Sequence, residues 1–238
     1  MKIVAVTTST SVHQVALAVG ERRWLLTQQA TRGASRELSQ MIWQLLQEAG
    51  IELRDIDRWA VDVGPGSFTG LRLGLATVRA LAWSQNKPVI SISSIGALIA
   101  QGRDCSPQGP ILVVLPARQG VVYTGFSLDG VLSQDRVLAV PEIPQWLEVH
   151  TAPGEWTVVG PAEVVETFEI ALNNRGIRWR RPPMPATPQA HWLIHLAAAA
   201  VDPMPDALAA VPHYLMASEA EVHQGVIVIA EALPADRR

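Results

Sequence analysis

The run Val61-Asp62-Val63-Gly64-Pro65-Gly66-Ser67-Phe68-Thr69-Gly70-Leu71-Arg72-Leu73-Gly74 decides the fold, because it reads as a buried strand, a glycine-rich turn and a helix start. Trp59 to Val63 is β-prone. Pro65 fixes φ between two glycines free to adopt positive φ, so the chain turns sharply, and Ser67 or Thr69 can cap the helix that follows. Glycines before a helix start leave N–H groups pointing outward at the positive end of the helix dipole. Gly64, Pro65, Gly66, Ser67, Thr69 and Gly70 are therefore a candidate anion loop. Two phosphate loops do not fit. No Lys-Ser/Thr follows as a P-loop requires, and G-x-G-x-x-x-G is one residue longer than the dinucleotide fingerprint. A tight turn with a capped helix explains the same residues without a ligand.

Upstream, Lys2 to Thr8, Val12 to Val19 and Arg23 to Gln29 read as three strands, with Gly20-Glu21-Arg22 turning between the last two. Ser35 offers an N-cap for a helix from Glu37 to Ala49 that Gly50 closes. Downstream come a helix from Gly70 to Gln85, a strand from Pro88 to Ile92 and a helix from a Ser93 cap to about Gln101. The order β-β-β-α-β-α-β-α with crossover helices predicts a mixed sheet with helices on its faces. About 110 residues later the pattern restarts. The run Gly109 to Leu115 echoes Lys2 to Val6, and Val121 to Leu128, Asp129-Gly130 and Val131 to Val140 echo the first hairpin. Pro141 to His150 takes the place of the first helix, and Val158-Val159-Gly160-Pro161 echoes Asp62 to Pro65. So long a period means duplicated domains, 1–105 and 106–238. Pro182 to Pro188 is a stiff connector, Ala190 to Val201 a last helix packing back toward the first half, and Val226 to Ala230 an apolar segment that adds an edge strand or docks on a partner.

At 238 residues with 48% hydrophobic and 17% charged side chains, the composition is that of a globular protein with a substantial core. Nineteen basic against 22 acidic residues, a net charge of -3, lack the footprint of a stand-alone nucleic-acid binder. The single cysteine, Cys105, excludes an intramolecular disulfide and reads as a small, partly buried residue of a reducing compartment. No apolar run approaches the roughly 20 residues that span a bilayer. The expected location is the cytoplasm, without membrane contact.

The string Gly64-Pro65-Gly66-Ser67-Phe68-Thr69-Gly70-Leu71-Arg72-Leu73-Gly74-Leu75-Ala76-Thr77, followed by Ala80-Leu81-Ala82, resembles the signature of the TsaB (YeaZ) family, filed with the M22 glycoprotease-like group. The resemblance covers the N-terminal half and is weak beyond Val131. With the duplication it implies an α/β fold of two actin-like (ASKHA, ribonuclease-H-like) domains with mixed sheets flanked by helices. It also implies a non-catalytic subunit that binds and activates TsaD in making threonylcarbamoyladenosine at position 37 of tRNA (t6A37). The implied partners are TsaD as a heterodimer, TsaE in the larger complex, and a second copy of the chain when alone, with tRNA met indirectly. No intrinsic cofactor or metal is implied, and ATP or ADP is held only weakly or through the complex. The alternatives are an ATP-dependent enzyme of the sugar-kinase type and, further off, an M22-type metallopeptidase.

The departures from family patterns fall where chemistry belongs. TsaB relatives usually carry Asp-Thr where this chain has Thr7-Thr8, and Asp-Ala-Arg where it has Pro116-Ala117-Arg118. Thr7, Thr8, Ser9 and Thr10 are then expected to satisfy turn backbone. The TsaD metal pair, His-x-x-x-His, falls on Ser94 and Leu98, neither of which replaces an imidazole. His191 and His195 have i, i+4 spacing but no acid nearby in sequence. The family's Pro-x-Tyr-Leu-Arg appears as Pro212-His213-Tyr214-Leu215-Met216, without the arginine.

Helix surfaces carry the remaining information. At 100° per residue Leu71, Leu75, Val78 and Ala82 make one stripe for the sheet, leaving Leu73, Gly74, Thr77, Ala80, Leu81 and Ser84 on the far side. Trp43 and Leu46 likewise extend the apolar arc of the first helix. Surplus apolar faces mark an interface, and family members pair through these two helices, so Trp43, Leu46, Leu73, Gly74, Thr77 and Leu81 are the candidate partner-binding residues. A leucine at Gly74 is then expected to leave thermal stability unchanged or raised and to weaken partner binding by one to two orders of magnitude, since about 1.4 kcal/mol is tenfold.

Overall fold

Alternation along the first strands sets the layering. In β1 (Lys2–Thr7), Val4 and Val6 point to one side and Ile3 and Ala5 to the other, and both sides are buried. A computed structural model describes residues 1–31, 34–118, 120–150, 154–201 and 207–216. β1 pairs antiparallel with β2 (Val12–Val19), which pairs antiparallel with β3 (Arg22–Gln29). On its other edge β1 pairs parallel with β4 (Arg58–Gly64), and β4 with β5 (Val89–Ser93), giving the order β3-β2-β1-β4-β5.

Helices α1 (Ala34–Ala49) and α2 (Phe68–Ser84) cover one face of this sheet. Leu38, Ile42, Leu45, Leu75 and Val78 pack there with Val4, Val6, Val15 and Leu17. The opposite face is lined by Ile3, Ala5, Ala16, Ala18 and Ala60. These small side chains admit α6 (Ala190–Ala199) close to the strands through Leu193, Ile194 and Ala197.

The second sheet repeats the plan in the order β11-β10-β6-β7-β8, with β9 also on β7. Its strands are β6 (Ile111–Pro116), β7 (Val121–Leu128), β8 (Val131–Leu132), β9 (Arg136–Ala139), β10 (Trp156–Val159) and β11 (Trp179–Arg180). Helices α4 (Ile143–Val149) and α5 (Ala162–Asn174) close one face, while α3 (Ser94–Cys105), which leaves the first sheet from β5, closes the other.

Thus α3 leaves the first sheet to cover the second, and α6 leaves the second to cover the first. First-half side chains fix α6 at both ends. The buried Gln14 amide accepts from Ala190 N at 3.0 Å, and Arg58 Nη1 donates to the carbonyls of Ala197 and Ala200 at 2.9 and 3.0 Å.

Several expectations change. α1 begins at Ala34, so Ser35 lies inside its first turn and is not its cap. The expected strand from Val131 to Val140 is split, because Ser133 Oγ takes the Phe126 N–H and Asp135 reaches across to Ser93, which draws the chain off the ladder. α3 runs on to Cys105, since Gly102 lets it lie against Ile111 and Val159, and Cys105 at its end is exposed. Val226 to Ala230 lies outside the described residues.

Leu46 is 1% exposed and belongs to the α1/α2 core, so it is no surface residue. Gly74 is buried too, and its Cα faces Thr8 Oγ1, so the absent side chain makes room for the chain's own β1–β2 turn and not for a partner helix. The wheel angle is right but the turn, which rides over the end of α2, has no signature in the helix sequence. Gly66, Gly70 and Gly74, spaced four apart, form one row beneath Thr8 and Ser9. A methyl group at Gly70 would overlap the Thr8 carbonyl, and one at Gly66 the Ser9 carbonyl.

Gly70→Ala is therefore expected to lower folding stability by about 3 kcal/mol or more, at or beyond the top of the usual overpacking range. Gly74→Leu is now expected to destabilise as well, reversing the expectation above. Denaturant midpoints of the two variants and the wild type check both.

Candidate functional site

The Gly-Pro-Gly turn begins with Gly64 at φ +102°, a left-handed conformation, whereas Gly66 is required by close approach and not by its φ. Ser67, not Thr69, caps α2, its Oγ accepting from Gly70 N at 3.2 Å. Ser67 N donates to Ser9 O at 2.7 Å, and Gly64 N to Asp62 Oδ1 at 3.0 Å. The N–H groups of Gly64, Ser67 and Gly70 are thus spent on the chain itself, which is the plain turn-and-cap use of this loop.

Asp62 is the site residue that sequence reading missed. Fully buried at the end of β4, its Oδ2 accepts from Thr7 Oγ1 at 2.8 Å and Ser9 Oγ at 2.5 Å. Its Oδ1 accepts from Ser94 Oγ at 2.6 Å as well as from Gly64 N. Burial pushes the carboxyl's pKa up, against the four hydrogen bonds that favour the anion. The carboxylate lacking at Thr7 is thus supplied from the neighbouring strand, in contact with Thr7 itself. Its signal was available: in Trp59-Ala60-Val61-Asp62-Val63 the period of two puts Asp62 on the buried Ala60 face. Of the four hydroxyls, Thr8 and Thr10 do satisfy backbone, at Gly70 O and Val12 O, while Thr7 and Ser9 serve the carboxylate.

The C-terminal described segment, 207–216, returns to this region. Ala207 and Ala210 are buried in the first-half core, and His213 N donates to Val63 O at 2.7 Å. The Tyr214 ring stacks on Phe68 at 4.7 Å, and its hydroxyl accepts from Arg72 Nε at 3.1 Å while the guanidinium lies 3.8 Å over Phe68. Asp135 of the second half accepts from Ser93 Oγ at 3.0 Å and faces His213 Nε2 at 3.4 Å. Between this segment and Pro116-Ala117-Arg118 lies a cleft of about 330 Å³. Its described lining holds Arg118, Tyr123 and His213 but no carboxylate. Burial raises the Tyr123 hydroxyl's pKa.

On the outer side of α2, Ala76, Ala80 and Trp83 are exposed, Trp83 by 69%, with Leu73, Thr77 and Leu81 half-buried along the edge. Trp43 of α1 is 49% exposed. Trp83 escaped the sequence reading, although it continues the row of Ala76 and Ala80 at spacings of four and three. Ser94 bonds Asp62 and Leu98 is buried in the second-half core. His191 and His195 are exposed on α6 beside Trp192, and among the described residues no three His, Cys, Asp or Glu side chains converge as a metal site. No helix among the described residues is long and apolar enough to cross a membrane.

The family profile described as TsaD, tRNA N6-adenosine threonylcarbamoyltransferase, matches residues 26–140. The TsaB tRNA threonylcarbamoyladenosine biosynthesis protein of Bacillus subtilis is 35% identical over 114 residues, 45% of this chain and 47% of that protein. The Escherichia coli TsaB is 29% identical over 165 residues, 67% of this chain and 71% of its own. The matched region thus spans about half the length of the first of these curated relatives. A solved Pseudomonas aeruginosa structure, described as an uncharacterized protein with similarity to peptidase YeaZ, superposes with a TM-score of 0.73 at 25% identity over 90% of this chain and 99% of that one. The duplicated actin-like α/β fold is the one these likenesses share.

Asp62 generates a pH-dependent expectation. Its folded pKa lies above the ordinary 3.8, so the stability it lends is fully present below that pH and is lost as pH rises through the elevated folded value. The stability of Asp62→Asn minus that of wild type should therefore grow more positive as pH climbs above 3.8. Asp62→Ala leaves three hydroxyls and an N–H without their acceptor and should cost at least about 2 kcal/mol. Urea titrations at a series of pH values read out both.

Proposed function

We propose that this chain, similar in sequence and fold to the TsaB proteins, is a non-catalytic cytoplasmic subunit that binds and activates TsaD. The complex transfers a threonylcarbamoyl group to N6 of adenosine 37 of ANN-decoding tRNAs. The observation that carries this reading is the outer face of α2. Its inner face already closes the first sheet, yet Ala76, Ala80 and Trp83 remain exposed, flanked by Arg72 and Arg79, and Trp43 of α1 is exposed too. Two alanines one turn apart let a second helix approach closely, and a tryptophan at the end of such a row is the kind of anchor that dominates binding energy. TsaD seats on this face as a heterodimer partner, TsaE joins the larger assembly, and a second copy of the chain uses the face when TsaD is absent.

The chemistry belongs to the partner. The cleft's described lining offers no carboxylate to hold magnesium, Asp62 is fully buried with each oxygen already accepting two bonds, and the Ser67 N–H serves Ser9. These residues do not fit a magnesium nucleotide. ATP or ADP is held weakly or through the complex, and the tRNA comes to TsaD.

Trp83→Glu should leave the thermal midpoint within a few degrees, because the side chain is exposed, and should weaken capture of TsaD at least tenfold, a loss of about 1.4 kcal/mol. Depleting the protein should lower the t6A content of cellular tRNA, read by nucleoside mass spectrometry. Unchanged tRNA nucleosides on depletion would contradict the proposal.

A further inference from the structure

From Ile170 to Val201 the sequence contains no carboxylate, yet it carries Arg175, Arg178, Arg180 and Arg181, in a chain whose net charge is -3. Three of these arginines fall within four residues around β11, the outermost strand of the second sheet. β11 pairs only on one side, with β10, so its other edge is open among the described residues. Arg178 and Arg181 are exposed and make no ion pair with a described residue. Arg180 is held in place by Glu155 at 3.4 Å and by the Cys105 carbonyl at 3.3 Å, and Arg175 by Glu148 at 2.5 Å. Two of the four guanidinium groups are thus paired with carboxylates, and those of Arg178 and Arg181 are left without an ion pair among the described residues. The four prolines at 182, 183, 185 and 188 stiffen the chain that follows, so the guanidinium groups are presented by a strand edge and a rigid connector.

We infer that the β11 edge is an RNA-contacting surface that grips the phosphodiester backbone of tRNA in the assembled complex, with Arg178 and Arg181 as its phosphate-binding side chains. The choice of RNA rests on the TsaB-type reading above, and the inference adds to it a direct contact between this chain and the substrate. Guanidinium suits phosphate oxygens because its planar fork donates two parallel N–H bonds, and the exposed Arg178 and Arg181 hold those forks in water, free to meet a polyanion. Phosphate contact of this kind carries no sequence information, which fits an accessory subunit that orients a substrate read elsewhere. It also suits an acidic protein overall. A chain with net negative charge does not bind RNA by its general field, so a local arginine excess is the place where contact can occur. The edge belongs to the second sheet, whereas the α2 face belongs to the first.

The test uses the full chain with TsaD from the same cell and an unmodified ANN-decoding tRNA transcript. Arg178→Glu/Arg181→Glu should weaken tRNA binding by the complex at least about tenfold and lower the slope of log affinity against log salt by about 1–2, one per lost phosphate contact. Arg54→Glu, a charge reversal at an exposed site in the first half, should change neither. Unchanged tRNA affinity and slope in the double variant, with TsaD capture intact, would overturn this inference alone. Loss of TsaD capture by the double variant would overturn it by assigning the arginines to the protein partner. Polyglutamate displacing the tRNA as readily as unlabelled tRNA does would overturn it in favour of an acidic protein. Failure of the wild-type chain to capture TsaD would instead strike the function proposed above, and the chain alone retaining tRNA through Arg178 and Arg181 would still support the edge as an RNA surface.

Discussion

The close seating of the Thr8-Ser9 turn on the glycine row of α2 is the constraint from which the first half is built. Gly66, Gly70 and Gly74 bring helix and turn into backbone contact, the Ser67 N–H closes on the Ser9 carbonyl, and Thr8 Oγ1 closes on the Gly70 carbonyl at 2.7 Å. Beneath that contact Asp62 collects donors from β1, the turn after it, α3 and its own strand end. A buried carboxylate with four donors is tolerable, and with any fewer it becomes costly, so these elements are held in one arrangement.

The same arrangement occupies polar groups of the Gly-Pro-Gly turn. The N–H groups of Gly64, Ser67 and Gly70 bind the protein's own oxygens, and Asp62 is fully buried with four donors of its own. The inner faces of α1 and α2 are committed to the sheet, while the outer side of α2 leaves Ala76, Ala80 and Trp83 exposed in a row that also carries Arg72 and Arg79. Residues 207–216 and α6, both returning from the second half, brace this unit from the opposite side and from the mouth of the cleft. Two surfaces stand out beside the cleft: a small-residue helix face in the first half and an arginine-rich strand edge in the second.

Much of this was legible in the residues. Period-two alternation and capping serines gave β1 to β5 and the positions of Ser67 and Ser93, because a strand buried on both faces and a capped helix obey local rules. The second hairpin was less legible, since Ser133 and Asp135 bond across to distant elements and interrupt the ladder. The site readings divided in the same way. Trp43 is exposed on α1 and Leu73, Thr77 and Leu81 are half-buried along α2, whereas Leu46 and Gly74 are buried by neighbours distant in sequence. Gly74 on a helical wheel cannot disclose the turn that crosses it. Asp62 was visible as a charge at a buried parity, and only the fold shows the hydroxyls that make it acceptable there.

The central claim is that the outer face of α2 is where TsaD binds. A photo-crosslinking amino acid placed at the exposed Ala80, compared with one at Val131, which is 71% exposed in the second half, tests it directly in the reconstituted mixture. The account predicts a covalent adduct with TsaD from position 80 and none from position 131. Adducts from position 131 alone, or from neither position while the two proteins still co-elute, would contradict it.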